Sequence, residues 1–99
     1  MSMPQATITD VTTGHSCWPP TSICEGSPTV ISESLPASRI GDACIPHRCT
    51  RDPHPVHTPA IASGSSSVII EGMPAARIGD SLSCGDIIAS GKSTIIVGD

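Results

Sequence analysis

GSPTVISESLPASRIGD occupies residues 26–42 and GSSSVIIEGMPAARIGD occupies residues 64–80, and eleven of these seventeen aligned positions are identical without a gap. Self-similarity of this kind marks a fold built from repeated supersecondary units. Two partial copies extend it. GKSTIIVG at 91–98 matches the first half of the repeat, and MPQATITD at 3–10 lines up with MPAARIGD at 73–80. The chain therefore reads as three units, the third split between its two ends.

Each unit reads as a hairpin. Thr29-Val30-Ile31, Ser67-Val68-Ile69-Ile70 and Thr94-Ile95-Ile96-Val97 are β-branched runs bounded by Gly and Ser, the pattern of short strands. Glu71-Gly72 predicts a tight turn, because Gly accepts the positive φ that hairpin turns demand. Glu33-Ser34 stands at the same place in the first copy, so that turn must differ or be strained. Pro36 and Pro74 open the return strands, where a missing N–H does little harm, and Gly41-Asp42 and Gly79-Asp80 close them. Ten prolines and nine glycines spread along 99 residues leave no room for long helices. The fold class expected is all-β, a small conical body of three short hairpin units related by pseudo-three-fold symmetry. It forms a single domain over residues 1–99 with no C-terminal effector extension. Serial stacking as a short solenoid is the alternative.

Composition limits what such a body can do. The net charge is −4, whereas a nucleic-acid surface calls for a basic face, and an anionic membrane is disfavoured for the same reason. No run approaches the roughly 18 apolar residues of a membrane helix, so no stable membrane insertion is expected. There is no Phe or Tyr and one Trp, Trp18, against thirteen Ile, so the core is thin, and small scaffolds of this kind usually recruit a metal, disulfides or a partner. Met1-Ser2-Met3-Pro4 lacks the basic and apolar regions of a signal peptide. That points to synthesis in a reducing cytoplasm and to five cysteines kept as thiols or metal ligands. Pairing of Cys17 with Cys24, or of Cys44 with Cys49, is the alternative in an oxidising space.

The reactive residues lie between the hairpins. His57 is seven residues before Gly64 and Cys84 seven before Gly91; His15 and His47 are each five past the Asp of their unit, Asp10 and Asp42. These shared offsets bring four ligand-capable groups to related positions. Structural zinc takes four N or S ligands in a closed tetrahedron, and in zinc-finger peptides it contributes about 10–16 kcal/mol of apparent free energy, more than the ~3–5 kcal/mol a thin core supplies. His54, within the Pro-rich 51–55 stretch, reads as a solvated loop residue. Arg39 with Asp42 and Arg77 with Asp80 recur in register, which predicts a structural bond within each unit. A catalytic zinc would need an open position and a nearby base, yet no carboxylate stands in an HExxH-like order; Asp52 and Asp86 fit loops better. A small zinc hydrolase and a disulfide-stabilised secreted binding module are the rival functions.

Pro74-Ala75-Ala76-Arg77, followed by Ile78-Gly79-Asp80, and its near copy from Pro36 to Asp42 resemble the PAAR-repeat proteins. Gly14-His15-Ser16-Cys17-Trp18-Pro19-Pro20 is similar to a segment of one branch of that family. The resemblance spans nearly the whole chain. It implies a non-enzymatic tip that caps and sharpens the trimeric spike of a type VI secretion system or a contractile phage tail, aiding membrane puncture. It also implies zinc near the apex, held by three His and one Cys, here His15, His47, His57 and Cys84. Thr58-Pro59 replaces the Gly-Gly that usually follows the third His, which leaves His54 and Cys49 as substitutes for His57, and Cys17 as a further one. The implied partner is a trimeric spike protein, one cap per trimer, with an effector as a further passenger. Val30, Ile69 and Ile95 are expected on the partner-binding surface, because exposed apolar segments mark interfaces. The implied location is the cytoplasm of the producing cell, then the injected spike or the virion tail.

Overall fold

The structure is a computed structural model, and it describes residues 2–49 and 56–99. Strands of the three expected hairpins form, two residues each in the two complete copies and six at Lys92–Val97, together with a further pair in the connection between the copies. They are β1 (Met3–Gln5), β2 (Ile31–Ser32), β3 (Leu35–Pro36), β4 (His47–Arg48), β5 (Val56–His57), β6 (Ile69–Ile70), β7 (Met73–Pro74) and β8 (Lys92–Val97). All pair antiparallel: β2 with β3, β6 with β7, β4 with β5, and β8 with β1 across the length of the chain. Among the described residues there is no helix. The body measures 40 × 26 × 22 Å along its principal axes.

The hairpin turns show why local sequence suffices here. Glu71 and Gly72 have φ of 50° and 83°, and Glu33 and Ser34 have 49° and 72°. Both turns thus put two successive residues in the left-handed region, as a two-residue hairpin loop requires. Glycine takes this φ freely at position 72; Ser34 takes it against the clash of its own Cβ. The first copy keeps the turn and bears the strain.

Backbone bonds at equivalent positions close a ring around the three units. The Ala6 amide donates to the Ala76 carbonyl, Ala76 to Ser38, and Ser38 back to Ala6, each at 2.9 Å. A second ring joins Ile8 to Pro36, Ile40 to Pro74 and Ile78 to Pro4 at 2.9–3.1 Å. In a serial stack the first and last units would not bond to one another, whereas here each unit bonds both others. Gln5 breaks the repetition, since Ala37 and Ala75 hold the corresponding places. Its side chain is 2% exposed, and its Nε2 donates to all three ring carbonyls, of Ala6, Ser38 and Ala76, at 2.7, 3.3 and 2.9 Å. One carboxamide thus tops a ring that three copies would overfill.

Side chains repeat the circuit. Glu71 of the β6–β7 turn accepts from Thr29 and from Arg39 Nη1 of the first unit. Glu33 of the β2–β3 turn accepts from Thr94 of β8. Gly98, just past β8, accepts from Ser65 and Arg77 of the second unit. Each unit end also carries the expected clasp. Arg39 and Arg77 each grip their aspartate with two bonds, Nε at 3.1 Å and Nη2 at 2.9 Å. Thr7 stands where the third arginine would be, and Lys92 from β8 supplies the cation instead, 2.9 Å from both oxygens of Asp10.

Ile23, Ile61 and Ile88, each three residues before the glycine that opens a hairpin, are the largest fully buried side chains. They pack with Ala6, Ala76, Cys44 and Leu82, and a smaller cluster of Ala37, Ala75, Ile70 and Val97 lies under the hairpins. Small side chains at the ring positions, Ala6, Ala76 and Ser38, matter, because a larger one would push the three backbones apart.

Candidate metal centre

Three loops bring His15, His47, Cys84 and Asp86 together, so that one ligand atom from each lies within 4.8 Å of the others. His15 sits in a tight loop closed by two backbone bonds with Trp18. Gly14 permits that loop: its φ is 73°, and a Cβ there would meet the Pro20 nitrogen at 2.8 Å and the Trp18 carbonyl at 2.9 Å. His47 begins β4. Cys84 and Asp86 flank Gly85, whose φ of 104° turns the chain so that both residues reach the cluster.

The hydrogen bonds decide which histidine nitrogens face the centre. Nδ1 of His47 lies 2.7 Å from the Pro19 carbonyl. A carbonyl only accepts, so Nδ1 carries the proton and Nε2 keeps its lone pair. That Nε2 is 3.7 Å from Sγ of Cys84. With zinc bonds of about 2.0–2.1 Å to nitrogen and 2.3 Å to sulfur, a tetrahedral N···S edge is roughly 3.5 Å, so the pair stands at ligand spacing. Nδ1 of His15 pairs with Asp86, leaving its Nε2 available in the same way. The His15 ring is stacked on Trp18, with centroids 5.2 Å apart and planes at 20°. Two imidazoles oriented through Nδ1 beside a thiol fit a structural zinc.

Asp86, expected to be an ordinary loop residue, belongs to the cluster. It is fully buried, and Thr12 Oγ1 donates to its Oδ2 at 2.5 Å while Oδ1 holds His15. Burial alone would push its carboxyl up. The Thr12 and His15 bonds, with the positive charge His15 and His47 carry when protonated, outweigh this and hold it below the usual carboxylate range. Its two oxygens are thus committed to orienting and charge-balancing the site. Its spacing, one glycine after Cys84, offered the only sequence signal.

The other expected residues fall as follows. His57 lies on β5 directly across from His47 in the β4–β5 register; its side chain, like His54 and Asp52, lies outside the described residues. Cys17 and Cys49 are bonded to each other. This corrects two expectations, that all five cysteines stay thiols and that Cys17 or Cys49 stands in for a ligand, and it matches neither pairing considered, Cys17–Cys24 or Cys44–Cys49. The repeat explains the pairing: Cys17 and Cys49 each follow their unit's aspartate by seven residues, and closure of the ring brings equivalent positions together. Cys44 is buried in the core, and burial, with the neighbouring Cys24, Cys84 and Asp86, pushes its thiol up to about 12; it stays protonated.

Of the apolar residues expected at a partner surface, Val30, Ile69 and Ile95 are all exposed, but they are not equivalent positions. Ile31, Ile69 and Ile96 are, and their exposures are 55%, 55% and 56%. Val30 and Ile95 belong with Val68. The repeat offsets of 38 and 27 residues would have picked out the matched trio.

Short antiparallel hairpins tied in a ring, with a His/Cys/Asp cluster gathered by their connecting loops, define a small repeat-built β domain carrying a candidate metal site. The sequence profile of the PAAR motif matches residues 13–90, and the chain belongs to that family. Among curated proteins none matches the chain. Membership supports a structural protein of the spike-tip type in secretion or phage machinery.

Proposed function

We propose that this chain is a zinc-pinned cap for the trimeric spike of a contractile injection machine, with no catalytic role. The observation that carries the reading is the matched trio Ile31, Ile69 and Ile96, equally exposed on three hairpins that the hydrogen-bond rings join head to tail. A pseudo-three-fold body with three like apolar corners suits a three-fold partner surface, and one copy then serves one trimer. Zinc is held by His15, His47, His57 and Cys84 at the narrow end of a cone, with Asp86 behind His15. Asp86 is spent on Thr12 and His15, so among the described residues the cluster offers no uncommitted carboxylate to activate water, which disfavours a hydrolase. The protein acts after leaving the producing cell on the spike, or within a virion tail, with an effector as a further passenger.

Native mass spectrometry with a candidate trimeric spike tests the cap. The expected complex is 3:1 spike to cap, lost when Ile31, Ile69 and Ile96 are all replaced by Ser while the fold survives. A 3:3 complex refutes it. The Cys17–Cys49 bond favours a second reading, a disulfide-stabilised secreted binding module. Metal analysis separates the two: the cap reading expects close to one zinc per chain, the module none.

A further inference from the structure

The Cys17–Cys49 bond stands outside the zinc reading, yet it joins the two loops on which that reading depends. His15-Ser16-Cys17 and His47-Arg48-Cys49 share one spacing, so each cysteine lies two residues from a histidine of the cluster. The bond spans 32 residues of chain, with Cα atoms 4.9 Å apart and both side chains buried. The same loops meet again where His47 donates to the Pro19 carbonyl, and their histidine rings lie 5.5 Å apart. Cys84 and Asp86 come from a third loop, closed by its own backbone bonds from Leu82 to Asp86 and from Gly85 to Leu82. Two of the three ligand-bearing loops are thus covalently tied, and the third is preformed by its turn.

We propose that the Cys17–Cys49 disulfide is a redox clasp for the metal centre. It holds the His15 and His47 loops at ligand spacing, so that oxidation and zinc binding reinforce each other. The inference rests on the zinc reading above. In the oxidised chain the two histidines are already placed and the ion binds a prepared site. In the reduced chain the ion must itself order the two loops, and its affinity falls by that cost. Coupling of this kind is reciprocal: the factor by which oxidation tightens zinc is the factor by which zinc favours oxidation. The chemistry is thiol–disulfide exchange with an external disulfide such as oxidised glutathione. The thiolate of one cysteine attacks the external disulfide and releases one thiol. The second cysteine then attacks the mixed disulfide and releases the other. One intrachain S–S bond forms and one external S–S bond breaks; two electrons pass to the external sulfurs, and the two cysteine protons end on the released thiols. A chain carried from a reducing to an oxidising space would lock its metal in on the way.

The test uses the full chain, oxidised or reduced with a phosphine, and titrates zinc in competition with a chromophoric chelator. The oxidised chain is expected to bind about tenfold more tightly, with C17S/C49S behaving as the reduced chain. A complementary measurement poises wild-type protein in mixtures of reduced and oxidised glutathione and counts free thiols by alkylation and mass spectrometry. Zinc should shift the midpoint toward the disulfide by the same factor. This arm, like the comparison of oxidised with reduced wild type, needs no variant to fold. Equal affinities in both states overturn the clasp while leaving the zinc reading intact. Tighter binding in the reduced state also overturns it, by showing Cys17 and Cys49 to be ligands. Absence of zinc binding in either state overturns the zinc reading and the clasp together.

Discussion

Gln5 offers the most incisive test of the ring that organises this fold. Its Nε2 has two hydrogens and three acceptors at 2.7, 3.3 and 2.9 Å, and each acceptor already takes a backbone N–H from the next unit. Replacement by Leu removes two good hydrogen bonds but leaves each carbonyl with one partner. At about 1 kcal/mol per bond, Gln5→Leu should cost roughly 2 kcal/mol. Gln5→Glu is isosteric and worse, because it sets a buried carboxylate against three carbonyl oxygens. An unpaired buried charge costs about 3–5 kcal/mol, which corresponds to a carboxyl raised by roughly 2–4 pH units in the folded state. The sign follows from that raised value. Below the unfolded glutamate value of about 4.3 the variant is protonated in both states, its O–H donates to one carbonyl, and it resembles Gln5→Leu. Between that pH and the raised folded value, stability falls by about 1.4 kcal/mol per pH unit, and above it the loss levels off. Urea denaturation of the three proteins at a series of pH values from 4 to 8 measures all of this. Gln5→Glu as stable as wild type at pH 7, or tracking Gln5→Leu at every pH, would refute the placement of the carboxamide over the ring.

Asp86→Asn should weaken zinc binding about 10- to 100-fold in a chelator competition, while the stoichiometry stays at one, because the residue orients His15 rather than holding the ion. Lys92→Met should destabilise the fold by about 2 kcal/mol at pH 7. Burial alone would raise Asp10, but the bonds from Lys92, Thr7 and Ser90 outweigh it and hold Asp10 below its ordinary value. Its contribution is therefore complete above about pH 4 and lost as pH falls through the folded value, so the gap between variant and wild type should close in acid titrations followed by circular dichroism. Ser34→Gly should stabilise by about 0.5–1 kcal/mol in thermal denaturation, since relief of a left-handed serine outweighs the added freedom of the unfolded chain.

The candidate metal cluster was legible in proportion to how far its residues follow the repeat. His15, His47 and Cys84 sit at fixed offsets from Asp10, Asp42 and Gly91, so alignment of the copies located them. Asp86 has no ligand-like counterpart in the other units, and an acid beside a glycine reads as a turn. Its role depends on Thr12, seventy-four residues away in the chain. The Cys17–Cys49 bond escaped for a related reason. Absence of a signal-like start argued for thiols, but whether two cysteines meet is a question of distance, and the distance comes from ring closure.

By itself the sequence determined the local units: β-branched runs make strands, Glu71-Gly72 makes a left-handed turn, and proline and glycine keep every element short. These outcomes depend on φ, ψ and side-chain shape within a few residues, so two copies of a motif announce them wherever they occur. Tertiary structure alone decided how the copies meet. The ring through Ala6, Ala76 and Ser38 makes Gln5 a shared cap, brings Lys92 to the aspartate that lacks its arginine, and places Cys17 against Cys49. The ring bonds, the Lys92–Asp10 pair and the disulfide join residues separated by 32 to 82 positions, and local backbone preferences fix no contact over such distances.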